Sequence, residues 1–307
     1  MKIAILGVTL SLIHGGIRRR LELARRLEDK GYDVVLYVKD LILHPGWRGL
    51  TLPSNIREYP EKPIEADFIF YGGDDCGRKF FNEGEGKKVF MLQCWFPSIE
   101  PYLRDRRVIK LCFSGCWAKI LEKKFKCKAV EALGGINLQF FTPSNDKREK
   151  TILVQGGDRR VKEPQLVEAA FDLIKAKYSD FKLSLLWGCK DQYELRERYR
   201  KAFMFVSGER SPIFCWNNPS AEAMACRCPV IMIDHRATRD HCLDKKTALI
   251  VDPNNGSIPN SMATMIEELI RNNKLRNSLV ENAYQHIQQF SWDRVVDTIE
   301  REVLKSN

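Results

Sequence analysis

Short apolar runs alternate with helical patterns along most of the chain. The first run spans residues 2–8 and leads through Gly15-Gly16 to residues 17–30, where apolar side chains recur at helical spacing. A second run, 34–38, follows at once, and similar runs lie at 68–71, 89–94, 108–113, 151–155, 183–187, 202–207 and 230–233. Since strands that alternate with helices usually pair in parallel, the pattern predicts an α/β protein.

Residues 144–150 form a polar and charged stretch between two series of strands and helices. This composition is typical of a linker between domains. With 307 residues the chain is long enough for two domains, each with its own core. We therefore predict an N-terminal domain over 1–145 and a C-terminal domain over 146–290, followed by a last helix in 291–307.

The overall composition is that of a soluble globular protein, with 44% apolar and 29% charged residues. No apolar run reaches the length of about 18 residues that crosses a bilayer, and residues 1–8 turn polar too early for a signal peptide. We therefore expect a cytoplasmic protein. The ten cysteines lie in apolar segments without histidines at zinc spacing, so we expect reduced core thiols and no metal site.

Basic residues exceed acidic ones mainly in the first half of the chain. Residues 1–150 hold 27 Lys and Arg against 19 Asp and Glu, a net charge of +8, whereas residues 151–307 hold 23 against 21, a net charge of +2. The surplus predicts an anionic partner for the N-terminal half: a phospholipid surface, a phosphorylated acceptor or nucleic acid. The alternative is ordinary solvated surface charge.

Glu222 is the one acidic residue in the small and apolar run 219–226, shortly before the apolar run 230–233. The run predicts a tightly packed helix that leads into a buried parallel strand. A carboxylate in the first turn of such a helix either caps the helix or faces a ligand. The residues alone leave both interpretations open.

The segments 221–226, 229–231 and 246–251 together resemble the donor-site signature of the retaining glycosyltransferases of family 4. The resemblance extends over nearly the whole chain. It implies the GT-B fold, in which two Rossmann-like domains face a cleft and a C-terminal helix crosses back to the first domain. It also implies metal-independent transfer of a sugar from a nucleotide-sugar donor to an acceptor hydroxyl, with retention of configuration and without a cofactor.

The resemblance assigns donor-binding roles to several residues. The glutamate at the position of Glu222 binds the ribose of the donor in that family, and Lys162 matches the lysine that contacts the donor diphosphate. The family's arginine directly after the first glycine of this loop is replaced by Gly157. Arg159 or Arg160 is therefore expected to supply that charge from a neighbouring position.

The chain departs from the family's donor-site pattern eight positions before Glu222, where a second glutamate usually lies and this chain has Phe214. That glutamate normally meets hydroxyl groups of the donor sugar. Glu209 in the preceding loop is one candidate to replace it, and the amides of Asn217 and Asn218 are another. An insert near 189–192 that helps to hold the base is also absent, which leaves the base open and keeps a catalytically weak sugar-nucleotide binding protein as an alternative function.

In the N-terminal half, Gly15 and Gly16 match a Gly-Gly pair that in family 4 lies across the cleft from the donor diphosphate. Arg18, Arg19 and Trp95 are predicted on the acceptor side, as part of an electropositive rim. At least three of the five arginines on this helix (18–20, 25 and 26) are expected to be solvated. No general base is identified, because the segment 93–95 stands where the family usually has a histidine.

The acceptor is the least defined partner. Basic N-terminal domains in this family often dock on anionic membranes, so we expect a lipid-linked or saccharide acceptor, and a peripheral position on the inner face of the membrane. The lysines of the segment 119–128 and Arg18, Arg19 and Arg20 are predicted to attract this acceptor or surface. The alternative within the enzyme class is a DNA-modifying glycosyltransferase that acts on a hydroxymethylated base, which has to be flipped out of the duplex.

Overall fold

The computed structural model describes residues Met1–Ser306 and divides the chain into two compact units. The N-terminal unit comprises Met1–Gly135, Ile213–Trp216 and the chain from Phe290 onwards, and the C-terminal unit comprises Ile136–Pro212 and Asn217–Gln289. Relative to the predicted domains, 136–145 lies with the C-terminal unit and 213–216 with the N-terminal unit. The second difference follows from main-chain pairing, which the sequence pattern does not reveal.

The N-terminal unit is built on a seven-stranded parallel sheet with the order β3-β2-β1-β4-β5-β6-β7. Its strands are β1 Lys2–Leu6, β2 Asp33–Val38, β3 Ile56–Glu58, β4 Glu65–Tyr71, β5 Glu85–Leu92, β6 Ile109–Cys112 and β7 Val130–Glu131. The central strands are buried on both sides, which is why they appear as continuous apolar runs in the sequence.

Helices of the N-terminal unit cover this sheet: α1 Gly15–Asp29, α2 Asp75–Glu83, α3 Glu100–Arg104 and α4 Gly115–Phe125. The helix α4 ends at Phe125, because Lys126 adopts a left-handed conformation with φ 53° and closes the last turn. The C-terminal helix, α11 Trp292–Ile299, also belongs to this unit, and its Trp292, Val295 and Val296 lie in one hydrophobic cluster with Leu21 and Ala24 of α1.

The C-terminal unit contains a five-stranded parallel sheet with the order β12-β11-β10-β8-β9. Its strands are β8 Thr151–Gln155, β9 Lys182–Leu186, β10 Met204–Val206, β11 Val230–Ile233 and β12 Leu249–Val251. Its helices are α5 Arg159–Lys162, α6 Pro164–Asp172, α7 Gln192–Lys201, α8 Asn218–Ala225, α9 Ile258–Arg271 and α10 Asn273–Ile287. The predicted α/β class with parallel sheets is confirmed.

Three short strands, β3, β7 and β12, are absent from the sequence prediction. β3 lies inside a stretch rich in proline and glycine, and β7 has only two residues. All three are edge strands, whose position is decided by pairing with a longer neighbour rather than by their own apolar pattern.

Candidate functional site

The carboxyl ends of β8 and β10 form the centre of the candidate site in the C-terminal unit. After β8 the chain crosses to β9 on one side, and it later returns to β10 on the other side of β8. In an open parallel sheet, such a reversal leaves a crevice at the carboxyl ends of the two strands. Gln155 ends β8 at this point, and Ser207 directly follows β10.

Glu209 lies in this crevice and is fully buried. Its Oε2 accepts three hydrogen bonds: from Gln155 Nε2 at 2.8 Å, from Lys162 Nζ at 2.9 Å and from Asn217 Nδ2 at 2.9 Å. Its Oε1 is buried without a hydrogen-bond partner in the described part of the chain. One half of the carboxylate is therefore held in place, while the other half remains available to a ligand.

Close backbone packing brings Lys162 to Glu209. A Cβ on Gly208 would lie 2.2 Å from the carbonyl oxygen of Glu163, so only glycine allows the two loops to approach. Gly157 adopts φ 125°, which lets the chain turn out of β8 into the short helix that ends at Lys162. The Lys162 side chain is 23% exposed, so its ammonium group lies at the border between this buried cluster and solvent.

Two further polar side chains of the C-terminal unit, His235 and Asn218, have buried atoms without hydrogen-bond partners within Met1–Ser306. Both ring nitrogens of His235 are buried and make no hydrogen bond, and the same holds for Oδ1 of Asn218. Burial lowers the pKa of His235, and the negative charge of Glu209 opposes this shift. His235 is therefore neutral at pH 7, and one of its nitrogens can accept a hydrogen bond from a ligand.

Glu222 is buried and accepts a hydrogen bond from the hydroxyl group of Tyr199 at 3.1 Å. The cap of α8 is Asn217, whose Oδ1 accepts from the backbone N–H of Ser220 at 2.9 Å. Of the two interpretations of Glu222, capping is therefore wrong. Its carboxylate lies buried inside the C-terminal unit, next to the Tyr199 hydroxyl group of α7.

Arg159 and Arg160 lie outside this cluster. Arg159 pairs with Glu168 at 2.7 Å and Arg160 with Asp158 at 2.9 Å, and both arginine side chains are largely exposed. Neither contacts Glu209. Surface pairs of this kind exchange partners at little cost, so these guanidinium groups are free to turn towards an anion.

In the N-terminal unit, Gly15 and Gly16 begin α1 as expected, although the helix starts two residues before the predicted residue 17. A Cβ on Gly16 would lie 2.8 Å from Oε1 of Gln93. The end of β5 therefore approaches the first turn of α1 closely. Trp95, just beyond that strand, is half-buried, and the ammonium group of Lys124 lies 4.7 Å from the centre of its ring.

The prediction that at least three of the five α1 arginines are solvated is wrong. Arg19, Arg20 and Arg26 are buried, and Arg18 and Arg25 are half-buried. Arg19 donates to the carbonyl oxygen of Gly134 at 2.6 Å and stacks on Phe113 at 4.0 Å. Arg20 pairs with Asp74 at 2.6 Å. These internal partners exclude Arg19 and Arg20 from an exposed electropositive rim.

Phe214 has a structural role in the N-terminal unit. It forms an antiparallel bridge with Cys94, and its carbonyl oxygen accepts from Trp117 Nε1 at 2.9 Å. The neighbouring main-chain bonds run from Trp95 to Ile213 and from Cys215 to Gln93, at 2.8 and 3.1 Å. Phe214, which stands where the family usually has a second glutamate, thus helps to hold the segment 213–216 against the N-terminal unit.

All ten cysteines are free thiols; Cys112, Cys215, Cys226, Cys228 and Cys242 are buried and the others half-buried. Within Met1–Ser306, no group of three or more His, Cys, Asp or Glu side chains is placed to hold a metal ion, and no helix is long and apolar enough to cross a membrane.

Three residues of the cluster were missed by the sequence analysis: Gln155, Ser207 and His235. Each is polar and stands at or just after the end of an apolar strand. Their place after a strand was the sequence signal that could have identified them, because the carboxyl ends of parallel strands meet at one edge of a sheet.

Residues 188–286 match the model of the family described as glycosyl transferases group 1. An uncharacterized glycosyltransferase of Methanocaldococcus jannaschii is 33% identical over 111 residues, which is 36% of this chain and 30% of that protein. The match therefore spans about a third of either sequence.

Solved structures resemble the whole chain. A glycosyltransferase from Rickettsia africae superposes with a TM-score of 0.73 at 15% identity, and Anabaena Alr3699/HepE in complex with UDP and glucose with 0.77 at 10% identity; both cover 100% of either chain. Sucrose-phosphate synthase from Thermosynechococcus elongatus has a TM-score of 0.72 at 15% identity, over 98% of this chain and 97% of that one. At these identities the likeness shows the fold, which is GT-B.

Proposed function

We propose that the protein transfers a sugar from a nucleotide-sugar donor to an acceptor hydroxyl, because residues 188–286 match the model of the glycosyl transferases group 1 family and the fold is GT-B. The observation that carries the proposal is the half-satisfied Glu209 carboxylate in the crevice between β8 and β10. A buried acceptor atom without a donor is costly, and a sugar hydroxyl is a donor that removes the cost.

In this proposal Glu209 takes the place of the glutamate that is missing at Phe214. Its Oε1 accepts from a hydroxyl group of the donor sugar, while Oε2 keeps Lys162 next to the sugar site. Asn218 Oδ1 and the neutral His235 ring offer further acceptors nearby. Glu222, held by Tyr199, binds the ribose.

Lys162 then neutralises charge on the leaving diphosphate. Its ammonium group is held by Glu209 at the border with solvent, where it carries a positive charge. Arg159 or Arg160 adds positive charge by leaving its surface partner. Stabilisation of this kind in a water-poor site supplies a large part of the rate enhancement in many enzymes, and we propose that no metal ion or other cofactor is needed.

We propose a lipid-linked acceptor because the N-terminal unit exposes aliphatic side chains next to the carboxyl ends of β1 and β2. Two loops that meet there carry Leu12, Ile13, Leu41, Ile42 and Leu43, which are between 36% and 68% exposed; we call them the aliphatic patch. The loops are joined by Thr9 and Asp40, 2.9 Å apart, and by the bond from His44 N to Leu10 O. Contiguous exposed aliphatic residues mark surfaces that contact lipid or protein.

The test begins with a thermal-shift screen of nucleotide sugars, followed by donor turnover with lipid acceptors. Uridine donors come first, because Anabaena Alr3699/HepE was solved with UDP-glucose. Saturable stabilisation by one donor and transfer to a lipid-linked saccharide support the proposal. Binding without turnover identifies a sugar-nucleotide binding protein, a salt-sensitive shift of duplex DNA favours a nucleic-acid acceptor, and no binding of any donor overturns the proposal.

A further inference from the structure

A cavity of about 640 Å³ opens in the N-terminal unit at the amino ends of β6 and β7. Its walls include Arg106 and Lys110 at the start of β6, Lys126 and Lys128 in the turn between α4 and β7, and Arg301 beyond α11. Ligands of parallel α/β sheets usually bind at the carboxyl ends of the strands. This cavity lies at the opposite edge of its sheet, and it shares no residue with the Glu209 site of the C-terminal unit.

Positive charge dominates the cavity. Five cationic side chains face two carboxylates, Glu131 and Glu302, and Glu302 already pairs with Arg301 at 3.1 Å. Arg106, Lys126 and Lys128 make no ion pair within the described residues. Like charges that converge on one cavity repel each other, and a bound anion would remove this repulsion.

Lys110 is the one cation of this group that is buried, with 4% of its surface exposed. Its ammonium group donates to the carbonyl oxygen of Asp105, which is its hydrogen-bond acceptor in the described part of the chain. An ammonium group has three donors, so two N–H groups remain for a ligand. A buried cation with a single carbonyl acceptor is costly, and burial accordingly lowers the pKa of Lys110.

We propose that this cavity binds the phosphate group of a small phosphorylated molecule or of a lipid headgroup, with Lys110 as the buried contact and Arg106, Lys126 and Lys128 around it. The volume fits this class, since pockets for small organic ligands occupy about 300–1,000 Å³. Phosphate oxygens accept from several ammonium and guanidinium groups at once, and these charge-assisted bonds are the strong ones. The proposal does not depend on glycosyl transfer.

Glucose 6-phosphate is the soluble probe and glucose its neutral control, both measured by calorimetry on the full chain. Vesicles of phosphatidic acid in phosphatidylcholine, against phosphatidylcholine alone, test the headgroup source by pelleting. Saturable binding of either phosphate source, and not of its neutral control, is the expected result, and the source that binds identifies the origin of the ligand. No binding of either overturns the proposal.

A matched pair of double variants locates the site. Lys126→Glu with Lys128→Glu reverses two charges on the cavity wall, whereas Lys119→Glu with Lys123→Glu makes the same charge change on α4, outside the cavity. We expect the first pair to weaken phosphate binding by about tenfold or more and the second by less than about twofold. Equal loss in both pairs would show only a general electrostatic effect and would contradict the proposal.

Lys110→Met provides an independent measurement, because methionine fills similar space without charge. The variant should keep its melting temperature or gain a little in buffer, and it should lose the stabilisation by glucose 6-phosphate that wild type shows. Nucleotide-sugar binding should remain as in wild type. A Lys110→Met protein that still binds the phosphate probe with wild-type affinity overturns the role of Lys110.

Discussion

Lys162 and Glu209 form an ion pair with Nζ 2.9 Å from Oε2, at a position where the carboxylate is buried and the lysine reaches the border with solvent. In the free protein, the Glu209 carboxylate thus balances the positive charge of Lys162, the residue proposed to contact the donor diphosphate, and holds its side chain in place. Orientation of a long side chain before binding reduces the entropy that binding has to offset. In the proposed function, the pair therefore combines two roles: Glu209 would contact the sugar and Lys162 the diphosphate.

Glu209→Gln separates these two roles. The amide keeps an oxygen for Gln155 and Asn217 but removes the charge that accepts from a sugar hydroxyl and attracts Lys162. We expect affinity for the full nucleotide sugar to fall about tenfold or more, since a hydrogen bond to a charged group contributes about 1.5–3 kcal/mol. Affinity for the nucleoside diphosphate alone should stay equal or increase, because Lys162 is released.

Calorimetry with both ligands checks this expectation, and Asp172→Asn is the control, because it removes a carboxylate from an exposed pair with Lys175. Equal losses for the nucleotide sugar and the diphosphate would mean that Glu209 has no contact with the sugar.

Glu222→Gln tests the ribose contact. Glutamine still accepts from Tyr199, so the fold should remain intact, whereas Glu222→Ala leaves that hydroxyl group without its partner and should cost about 1–3 kcal/mol of stability. We expect wild type to prefer a ribonucleotide over its 2′-deoxy analogue and Glu222→Gln to lose about tenfold of this preference. Tyr199→Phe retains the Glu222 carboxylate and should therefore keep the preference for the ribonucleotide. An unchanged preference in Glu222→Gln would remove Glu222 from the ribose site.

Acid should destabilise the C-terminal unit through His241. This side chain is fully buried, with Nε2 2.7 Å from Oγ of Ser220, and burial lowers its pKa from 6.5 to about 3. Between these values the unfolded chain binds a proton that the folded chain does not, so the free energy of unfolding decreases as pH falls, by about 1.4 kcal/mol per pH unit. Urea unfolding at pH 7.5 and pH 5 should show about 2 kcal/mol less acid destabilisation in His241→Asn than in wild type. Parallel pH profiles would contradict this assignment.

Arg20 should contribute to stability rather than to acceptor attraction. It pairs with Asp74, which also caps α2 through the N–H of Gly77 at 2.9 Å. Removal of one partner leaves a charge in a largely buried place, so Arg20→Gln should lower the free energy of unfolding by about 3 kcal/mol. Arg25→Gln, on the same helix with an exposed partner in Asp29, should cost about 0.5 kcal/mol or less. Similar losses in both variants would mean that Arg20 is not a buried structural cation.

The sequence predicted the strand and helix series well because buried parallel strands such as β1 and β11 are continuous apolar runs. The sequence did not predict the burial of Arg19 and Arg20. A run of arginines does not indicate that Arg19 stacks on Phe113 or that Arg20 pairs with Asp74. Such partners are distant in the chain and meet only after the sheet has formed.

The candidate site shows the same limit. Lys162 and Glu222 were predicted from the resemblance to the family signature, whereas Glu209 was one of three candidates, with Asn217 and Asn218. Its position became clear from contacts with Gln155 and Asn217, which lie on different elements. A local motif specifies which residue types are present, whereas the pairing order of β8 and β10 decides which of them share one crevice.

The aliphatic patch should determine membrane binding. Ile42 is 68% and Leu43 49% exposed, and each aliphatic side chain gains about 1.5–3 kcal/mol when it is fully buried. Ile42→Ser with Leu43→Ser should therefore reduce partition onto phosphatidylglycerol vesicles by about tenfold or more and lower transfer to a lipid-linked acceptor, with donor binding unchanged. Leu173→Ser with Leu185→Ser is the control, since these leucines are 59% and 42% exposed on the C-terminal unit. Vesicle pelleting measures the partition; if both pairs bind vesicles like wild type, the patch does not contact lipid, and the acceptor has to be sought among water-soluble saccharides.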